Sequence, residues 1–430
     1  MNRIRVAKLV AVSAVVALTA CSAPQPGLLK ADGVERVSVQ LAGYDAELRS
    51  LRDSALTLGE ALLADGGDGA NGNTVSSPGS LLIALAMLRA GASGEAAAEM
   101  DHALGLPATH RDEATNALLA SLEKFDGDPG SVDEGNPPRK PVMHPANGLF
   151  VDKGVTTGAA YLDTLARQYG TGVYPVDFSD EAATKPAIDA WVDKNTGGRI
   201  KEAPAEYDRR NTFSLLNALY FAAAWSVPFD PSNTSDLPFT TAEGKAITAP
   251  AMHNLLPMKY AEGQGWRGVD LPYAEGFVMR LVLPDPVASE GTGEGTGTVL
   301  SAETLAEIAG TMDSARQETV QIQLPRWDHK CSFDLRKVLG AMGLQKTLST
   351  TTDFDAIQEG LMITQAAQAA NITVAEKGTV AAAVTQINGR VTSAPPKPDR
   401  TIEFDRPFHY QIIHVETGLP LFMGTVADPS

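Results

Sequence analysis

Apolar residues recur at helical spacing in four stretches of the chain and form strand-like runs in three others. The helical stretches are residues 44–63, 80–89, 187–195 and 334–342. The strand-like runs are residues 213–221, 372–374 and 408–415, and the first is almost entirely apolar, as in a strand buried on both faces. Helices and strands are interspersed without regular alternation or internal repeats. This order predicts an α+β fold with a large, mainly antiparallel sheet.

Polar and glycine-rich segments separate these elements. Residues 66–72 have the composition of a turn, and residues 126–140 are polar with Pro and Gly, as in a loop. Residues 284–298 are a low-complexity run of Gly, Thr and Glu. Because single domains of this length exist, we expect residues 44–430 to form one domain.

The N-terminus has the pattern of a secretion signal followed by a modified cysteine. Three basic residues precede an apolar run that is too short to span a bilayer. Cys21 then follows Leu18-Thr19-Ala20, which is similar to the lipobox of bacterial lipoproteins. We expect a signal peptide over residues 1–20, lipid on Cys21, a tether over residues 21–43 and an extracytoplasmic, membrane-anchored protein. The alternative is a plain signal peptide with a chance cysteine.

The charge balance disfavours polyanionic partners. The chain has 35 basic and 52 acidic residues, and removal of the three basic residues of the signal would leave 32 against 52, a net charge of −20. A surface this acidic argues against nucleic acid and against heparin. The only cysteines are Cys21 and Cys331. If Cys21 is lipidated, Cys331 has no disulfide partner, and we expect it to be a small buried hydrophobe.

Common hydrolase motifs are missing from the sequence. There is neither a Gly-x-Ser-x-Gly elbow nor a His-Glu-x-x-His zinc motif. The seven histidines are scattered, so neither a catalytic triad nor a metal cluster is suggested. We expect a monomer that is not an enzyme and needs no metal or cofactor.

Nine short motifs follow one another in an order that resembles the serpin family. They lie at residues 73–81, 146–150, 176–178, 191–200, 217–229, 271–273, 324–327, 404–408 and 421–424. Among them are Ala146-Asn147-Gly148-Leu149-Phe150 and Phe404-Asp405-Arg406-Pro407-Phe408, which are similar to the serpin patterns "ANxLF" and "FNRPF". The resemblance runs from about residue 44 to the last residue. It implies the serpin fold, with further sheets, about eight to nine helices and an exposed reactive-centre loop at about residues 376–400.

The resemblance also implies a function. Serpins act as suicide substrates of serine endopeptidases: the protease attacks the loop, and the loop then inserts into the central sheet and traps the acyl-enzyme. The expected partner is therefore a serine protease. The alternative is a serpin that does not inhibit, or one directed at cysteine proteases.

Residues 376–385 are similar to the serpin hinge, the segment that begins the insertion. The hinge residues by this resemblance are Glu376, Gly378, Thr379, Ala381, Ala382 and Ala383. Residues 379–391 suit an inserted strand, because they contain no Pro and every second side chain counted from Thr379 is small or apolar. We predict that residues 378–391 lie outside the sheet before cleavage, with Thr379 exposed or partly exposed.

Family spacing predicts the bond that the protease cleaves. Counting fourteen residues on from Gly378 places it between Thr392 and Ser393. A small β-branched residue at this position suits the shallow pocket of an elastase-like or subtilisin-like protease. The alternative is the bond between Arg390 and Val391, which would imply a trypsin-like target.

Two further groups of residues follow from the resemblance, the breach at the top of the sheet and the shutter beneath its centre. These residues are Trp225, Arg326, Asn217, Ser77, Ser80 and Gln368. Many serpins have histidine where this chain has Gln368, but glutamine can also donate and accept hydrogen bonds there. We predict that the charged groups of Arg326 and Glu376 lie within salt-bridge reach.

Overall fold

The computed structural model describes residues 25–204, 207–286, 300–380 and 397–430, and over these residues the chain forms nine α-helices and fifteen strands. The helices are α1 Asp45–Asp65, α2 Pro78–Arg89, α3 Gly94–Leu104, α4 Arg111–Glu123, α5 Ala159–Thr164, α6 Glu181–Asn195, α7 Ala302–Ser314, α8 Leu335–Ala341 and α9 Gln345–Ser349. The strands are β1 Thr74–Ser76, β2 Val142–Asp152, β3 Tyr174–Val176, β4 Phe213–Ala224, β5 Ser235–Thr240, β6 Ala246–Gly263, β7 Trp266–Pro272, β8 Phe277–Pro284, β9 Gln317–Pro325, β10 Trp327–Asp334, β11 Gln365–Ala375, β12 Gly378–Thr379, β13 Arg400–Glu403, β14 Phe408–His414 and β15 Pro420–Val426.

The strands form two sheets, and most of their pairings are antiparallel. The nine-stranded sheet has the order β1-β15-β14-β8-β7-β6-β9-β13, with β5 paired to β6. The six-stranded sheet has the order β10-β11-β12-β4-β2-β3, and β11 also pairs directly with β4 in parallel. The expected α+β fold with a large, mainly antiparallel sheet is confirmed.

Both sheets pack around α2. Every residue from Pro78 to Leu88 is buried, as expected for a helix that is apolar on all sides. The helix contacts β15 in one sheet and β2 and β4 in the other. Ser77, which directly precedes α2, therefore lies behind the centre of the six-stranded sheet, where it bonds to Gln368 of β11.

Two elements differ from their predicted ranges by more than three residues, α6 and β11. Helix α6 begins at Glu181, six residues before the predicted start at residue 187, because the Asp180 carboxylate accepts a hydrogen bond from the Ala183 amide and caps it. The helix accommodates Pro186 at the loss of one backbone donor. Strand β11 has eleven residues, although only residues 372–374 were predicted. Its first half is rich in Ala and Gln, which favour strands weakly, and it is a strand because it pairs with β10 and β4.

The described part of the predicted tether, residues 25–43, packs on the domain. Leu29 exchanges backbone hydrogen bonds of 2.8 and 3.0 Å with Val173. The Arg36 guanidinium donates twice to the buried Asn116, each time at 2.7 Å, and the Asn116 amide donates back to Val37 O at 2.9 Å. This segment is thus a docked extension of the domain and not a free tether. Within the described ranges, no helix is both long and apolar enough to cross a bilayer.

Candidate functional site: the hinge and the centre of the six-stranded sheet

The two central strands of the six-stranded sheet pair with each other along only part of their length. Residues Gln365 to Ala369 of β11 pair in parallel with Ser214 to Ala218 of β4. At the other end the short strand β12 lies between them and is antiparallel to both. We call the stretch between these two regions, residues 370–373 of β11 and 219–222 of β4, the insertion lane. Strand β12 therefore stands at the entrance of a lane that can admit one more central strand.

The hinge enters the lane through a tight turn from β11. Gly378 pairs with Ala375 on one side and Ala224 on the other. A Cβ atom at Gly378 would lie 2.1 Å from the carbonyl oxygen of Ala223, so only glycine fits there. The sequence pattern that identified the hinge thus contains a residue that the close backbone approach requires.

The prediction that Thr379 is exposed or partly exposed before cleavage is wrong. Its side chain is only 1% exposed, and its hydroxyl is hydrogen-bonded to the hydroxyl of Tyr273. Gly378 and Thr379 therefore already lie inside the sheet, and residues 378–391 do not all lie outside it. The small Thr side chain fits between β11 and β4, and Tyr273 gives its hydroxyl a partner, so insertion of these two residues leaves no polar group unpaired.

The described part of the hinge ends at Val380. Val380 is buried and donates a hydrogen bond to Thr373 O at 2.8 Å. Its φ of 62° is in the left-handed region, which is strained for a β-branched residue. The remaining predicted hinge and cleavage-site residues lie outside the described residues, so those assignments stay predictions. They are Ala381, Ala382, Ala383, Arg390, Val391, Thr392 and Ser393.

The predicted ion pair at the top of the sheet is confirmed. Arg326 Nε lies 2.9 Å from Glu376 Oε1. The Glu376 carboxylate is buried and also accepts a hydrogen bond of 2.6 Å from Thr234. A buried carboxylate without these partners would be costly, so the pair holds the turn that leads into β12.

Trp225 holds the same turn from the other side. Its indole Nε1 donates to Ala375 O and its backbone amide donates to Lys377 O, both at 2.9 Å. The indole ring is fully buried and stacks on Tyr273 with ring centroids 4.4 Å apart. Trp225 and Tyr273 together connect the turn, the hinge and the nine-stranded sheet.

The predicted shutter residues form one buried hydrogen-bond network beneath the paired part of β11 and β4. Gln368 Oε1 accepts from the Ser77 amide at 2.9 Å, and its Nε2 donates to Ser77 O at 3.0 Å and to Asn217 Oδ1 at 2.6 Å. Asn217 Nδ2 donates to Ser80 Oγ at 2.8 Å and to Asn147 Oδ1 at 2.6 Å. Because Gln368 and Asn217 are direct partners across the pairing of β11 with β4, an inserting strand must separate them.

Three contributors to this site were not among the residues predicted for it. Tyr273 bonds to Thr379, Asn147 joins the shutter network, and Lys377 Nζ donates to Gly135 O at 2.8 Å. The sequence does indicate a role for Asn147, because a polar residue in an apolar strand needs a buried hydrogen-bond partner. Tyr273 and Lys377 have partners more than 100 residues away, which no local pattern indicates.

Comparison with known proteins agrees with this architecture. The family model of serpins, described as serine protease inhibitors, matches residues 50–429. An uncharacterized serpin-like protein of Thermococcus kodakarensis is 33% identical over 369 residues, covering 84% of this chain and 82% of that protein. Alpha-1-antitrypsin 1-3 of Mus musculus is 28% identical over 83% of this chain and 84% of its own.

Among solved structures, the thermophilic serpin tengpin in its native state has a similar fold. The comparison covers 94% of this chain and 100% of tengpin, with a TM-score of 0.77 at 23% identity. The family match includes the described hinge, the ion pair at the breach and the shutter network. The chain belongs to the serpin family, whose members are generally protease inhibitors rather than enzymes.

Proposed function

We propose that this protein inhibits a serine protease by acting as a suicide substrate whose cleaved loop inserts into the six-stranded sheet. The observation that carries the proposal is the position of β12, whose two residues already occupy the entrance of the insertion lane. The lane continues between strands that do not pair with each other there. The chain that follows Val380 contains no Pro up to residue 391, so each of its residues can donate to a neighbouring strand.

In the proposed mechanism, the protease serine attacks the carbonyl carbon of the scissile bond and forms an acyl-enzyme, and the amine of the next residue leaves. The inhibitor contributes no catalytic group. It contributes a lane with rows of backbone donors and acceptors on both sides, and a strand that can fill it. Trapping requires that insertion is faster than attack of water on the acyl-enzyme. Insertion must break the pairing of residues 365–369 with residues 214–218 and the bond between Gln368 and Asn217.

The target follows from the predicted cleavage site. With Thr392 before the scissile bond, we propose an elastase-like or subtilisin-like protease. Cleavage after Arg390 would instead assign a trypsin-like target. The two assignments differ in the mass of the C-terminal fragment, which mass spectrometry resolves directly.

Incubation with purified elastase, subtilisin and trypsin tests the proposed function. We expect a covalent complex that survives SDS with at least one of them, and a C-terminal fragment that begins at Ser393 or Val391. The same protease inactivated at its catalytic serine is the control and should form no complex. Cleavage of the loop without a complex would contradict inhibition and identify a serpin that behaves as a substrate.

We also propose that the protein is extracytoplasmic and anchored by lipid on Cys21, which the lipobox-like Leu18-Thr19-Ala20 supports. Since the docked extension is described from Gln25 onward, only a few residues separate the cysteine from the domain. In Triton X-114 partitioning of the expressing cells, we expect the protein in the detergent phase. The Cys21→Ser variant should move to the aqueous phase, whereas the Cys331→Ser control should not. Wild-type protein in the aqueous phase would contradict the anchor.

A further inference from the structure

His144, on β2, has a hydrogen-bond acceptor at each of its two ring nitrogens. Nδ1 lies 2.8 Å from Asp126 Oδ1, and Nε2 lies 2.9 Å from Asn195 Oδ1 at the end of α6. The Asn195 amide cannot turn around, because its Nδ2 donates to Trp191 O at 2.6 Å and the reverse orientation would bring two acceptors together. Only an imidazolium donates from both nitrogens, so the arrangement selects the protonated ring.

The groups that face His144 favour its proton. The hydrogen bond that His144 donates to Asp126 is the largest effect and raises the pKa of His144 above its ordinary value, burial opposes it, and Asn195 and Asp128 add to the rise. The neighbour across the strand pair is Tyr220 on β4, an uncharged side chain whose pKa burial raises further, to about 12. Helix α6 presents the uncharged amide of Asn195.

His144 lies on the β4 side of the insertion lane, and the chain that follows α6 binds β11 on the other side. Arg199 Nη1 donates to Asn371 Oδ1 and, at 3.2 Å, to Thr373 Oγ1, and both residues belong to the part of β11 that borders the lane. Arg199 Nη2 also lies 3.0 Å from Glu134 Oε1. The Arg199 side chain is 14% exposed, so these interactions are largely shielded from solvent.

The turn between Asn195 and Arg199 is tightly held. Thr196 Oγ1 donates to Val192 O at 2.9 Å and accepts from the Ile200 amide at 3.1 Å. A Cβ atom on Gly197 would lie 2.9 Å from Pro129 Cβ, so the loop that carries Asp126 and Glu134 packs directly on this turn. The turn therefore transmits a displacement at one end to the other.

These residues connect the two halves of the sheet that insertion must separate. A new strand adds about 4.8 Å of width between its neighbours. A hydrogen bond does not survive such a displacement, so a link across the lane must break at one end before the lane opens fully. The Arg199 end is held by a guanidinium that donates to Asn371 and Thr373. The His144 end depends on one proton, because neutral imidazole leaves a bare acceptor facing either Asp126 or Asn195.

We propose that Asp126, Glu134, His144, Asn195 and Arg199 form a clamp across the insertion lane, which a proton on His144 closes and loss of that proton releases. We name it the His144 clamp, and its effect on loop insertion rests on the proposed function. Because the pKa of His144 is raised by folding, the clamp stabilises the closed sheet at acidic pH and is lost as the pH rises through that value.

Hydrogen exchange of the intact protein tests the clamp without any protease. The measurement is the opening equilibrium constant of the pairing between residues 365–369 and 214–218, at pH 5.5 and at pH 8, obtained by dividing each amide's exchange rate by its intrinsic rate. The test variant is His144→Gln, and the matched control is His102→Gln, an exposed histidine on α3. Burial lowers the pKa of His329, His409 and His414 to about 4, so these histidines stay neutral at both pH values, and both variants keep them.

We expect His144→Gln to raise the opening constant about five- to tenfold over wild type at pH 5.5, because the charged hydrogen bond that it loses is partly exposed and weakened by solvent. At pH 8 the two opening constants should be nearly equal. Asp126→Asn should behave in the same way and should lower the pKa of His144 measured by NMR. The proposed clamp would be contradicted if the ratio of the opening of His144→Gln to that of wild type were the same at both pH values. It would also be contradicted if His144 of the wild type titrated below pH 6.5. These outcomes do not depend on inhibition, so a protein that traps no protease can still show the clamp, and an inhibitor can lack it.

Discussion

Replacement of Thr379 by arginine is expected to abolish trapping of the protease while the loop is still cleaved. Thr379 is almost fully buried between β11 and β4, and its hydroxyl is bonded to Tyr273. An arginine there would place an unpaired charge in the core, which is strongly unfavourable. The hinge should leave the sheet, and the first step of insertion would then be blocked.

The measurement is the yield and rate of SDS-stable complex with the protease that the wild type traps. We expect a loss of at least about 100-fold, which corresponds to roughly 3 kcal/mol and is in the range for a buried unpaired polar group. The matched control is Thr401→Arg, an exposed threonine on the edge strand β13, which should trap at the wild-type rate. Complex formation by Thr379→Arg at the wild-type rate would show that insertion does not proceed through this residue.

Protein cleaved near Thr392 is expected to unfold at a higher temperature than intact protein. Insertion of the cleaved loop would add hydrogen bonds to both neighbouring strands, each worth on the order of 1 kcal/mol net. Apolar side chains such as Ile387 and Val391 would add burial. The entropy of ordering the strand opposes these gains. Gly378 and Thr379 are already ordered as the first residues of the strand. The entropy cost that remains for inserting the rest is therefore smaller.

The measurement is a thermal unfolding scan before and after limited proteolysis, with the cut mapped by mass spectrometry. We expect the melting temperature to rise by roughly 10 °C or more, since several net hydrogen bonds are added and each kcal/mol shifts the midpoint of a large domain by about 2 °C. A sample of Thr379→Arg cut at the same bond is the control and should not gain stability. An equal or lower melting temperature for the cut wild type would mean that the loop does not insert.

Much of the site could be predicted from the sequence, because the residues that form it lie in short motifs. The hinge was identified from ten consecutive residues, and the ion pair of Arg326 with Glu376 from their places in two motifs. The shutter residues were identified in the same way. The length of β11 was not predicted, because alanine and glutamine carry little strand preference and the strand is defined by its neighbours.

The sequence by itself determined the α+β class, the family and the position of the hinge. These depend on periodicity, on the absence of Pro from residues 379–391 and on the order of short motifs, all of which are local along the chain. Only the tertiary structure decided that Thr379 is already buried, that residues 25–43 dock on the domain and that His144 lies between Asp126 and Asn195. Each of these depends on residues that are distant in sequence and meet only when the sheets pack. A local sequence pattern does not indicate such partners.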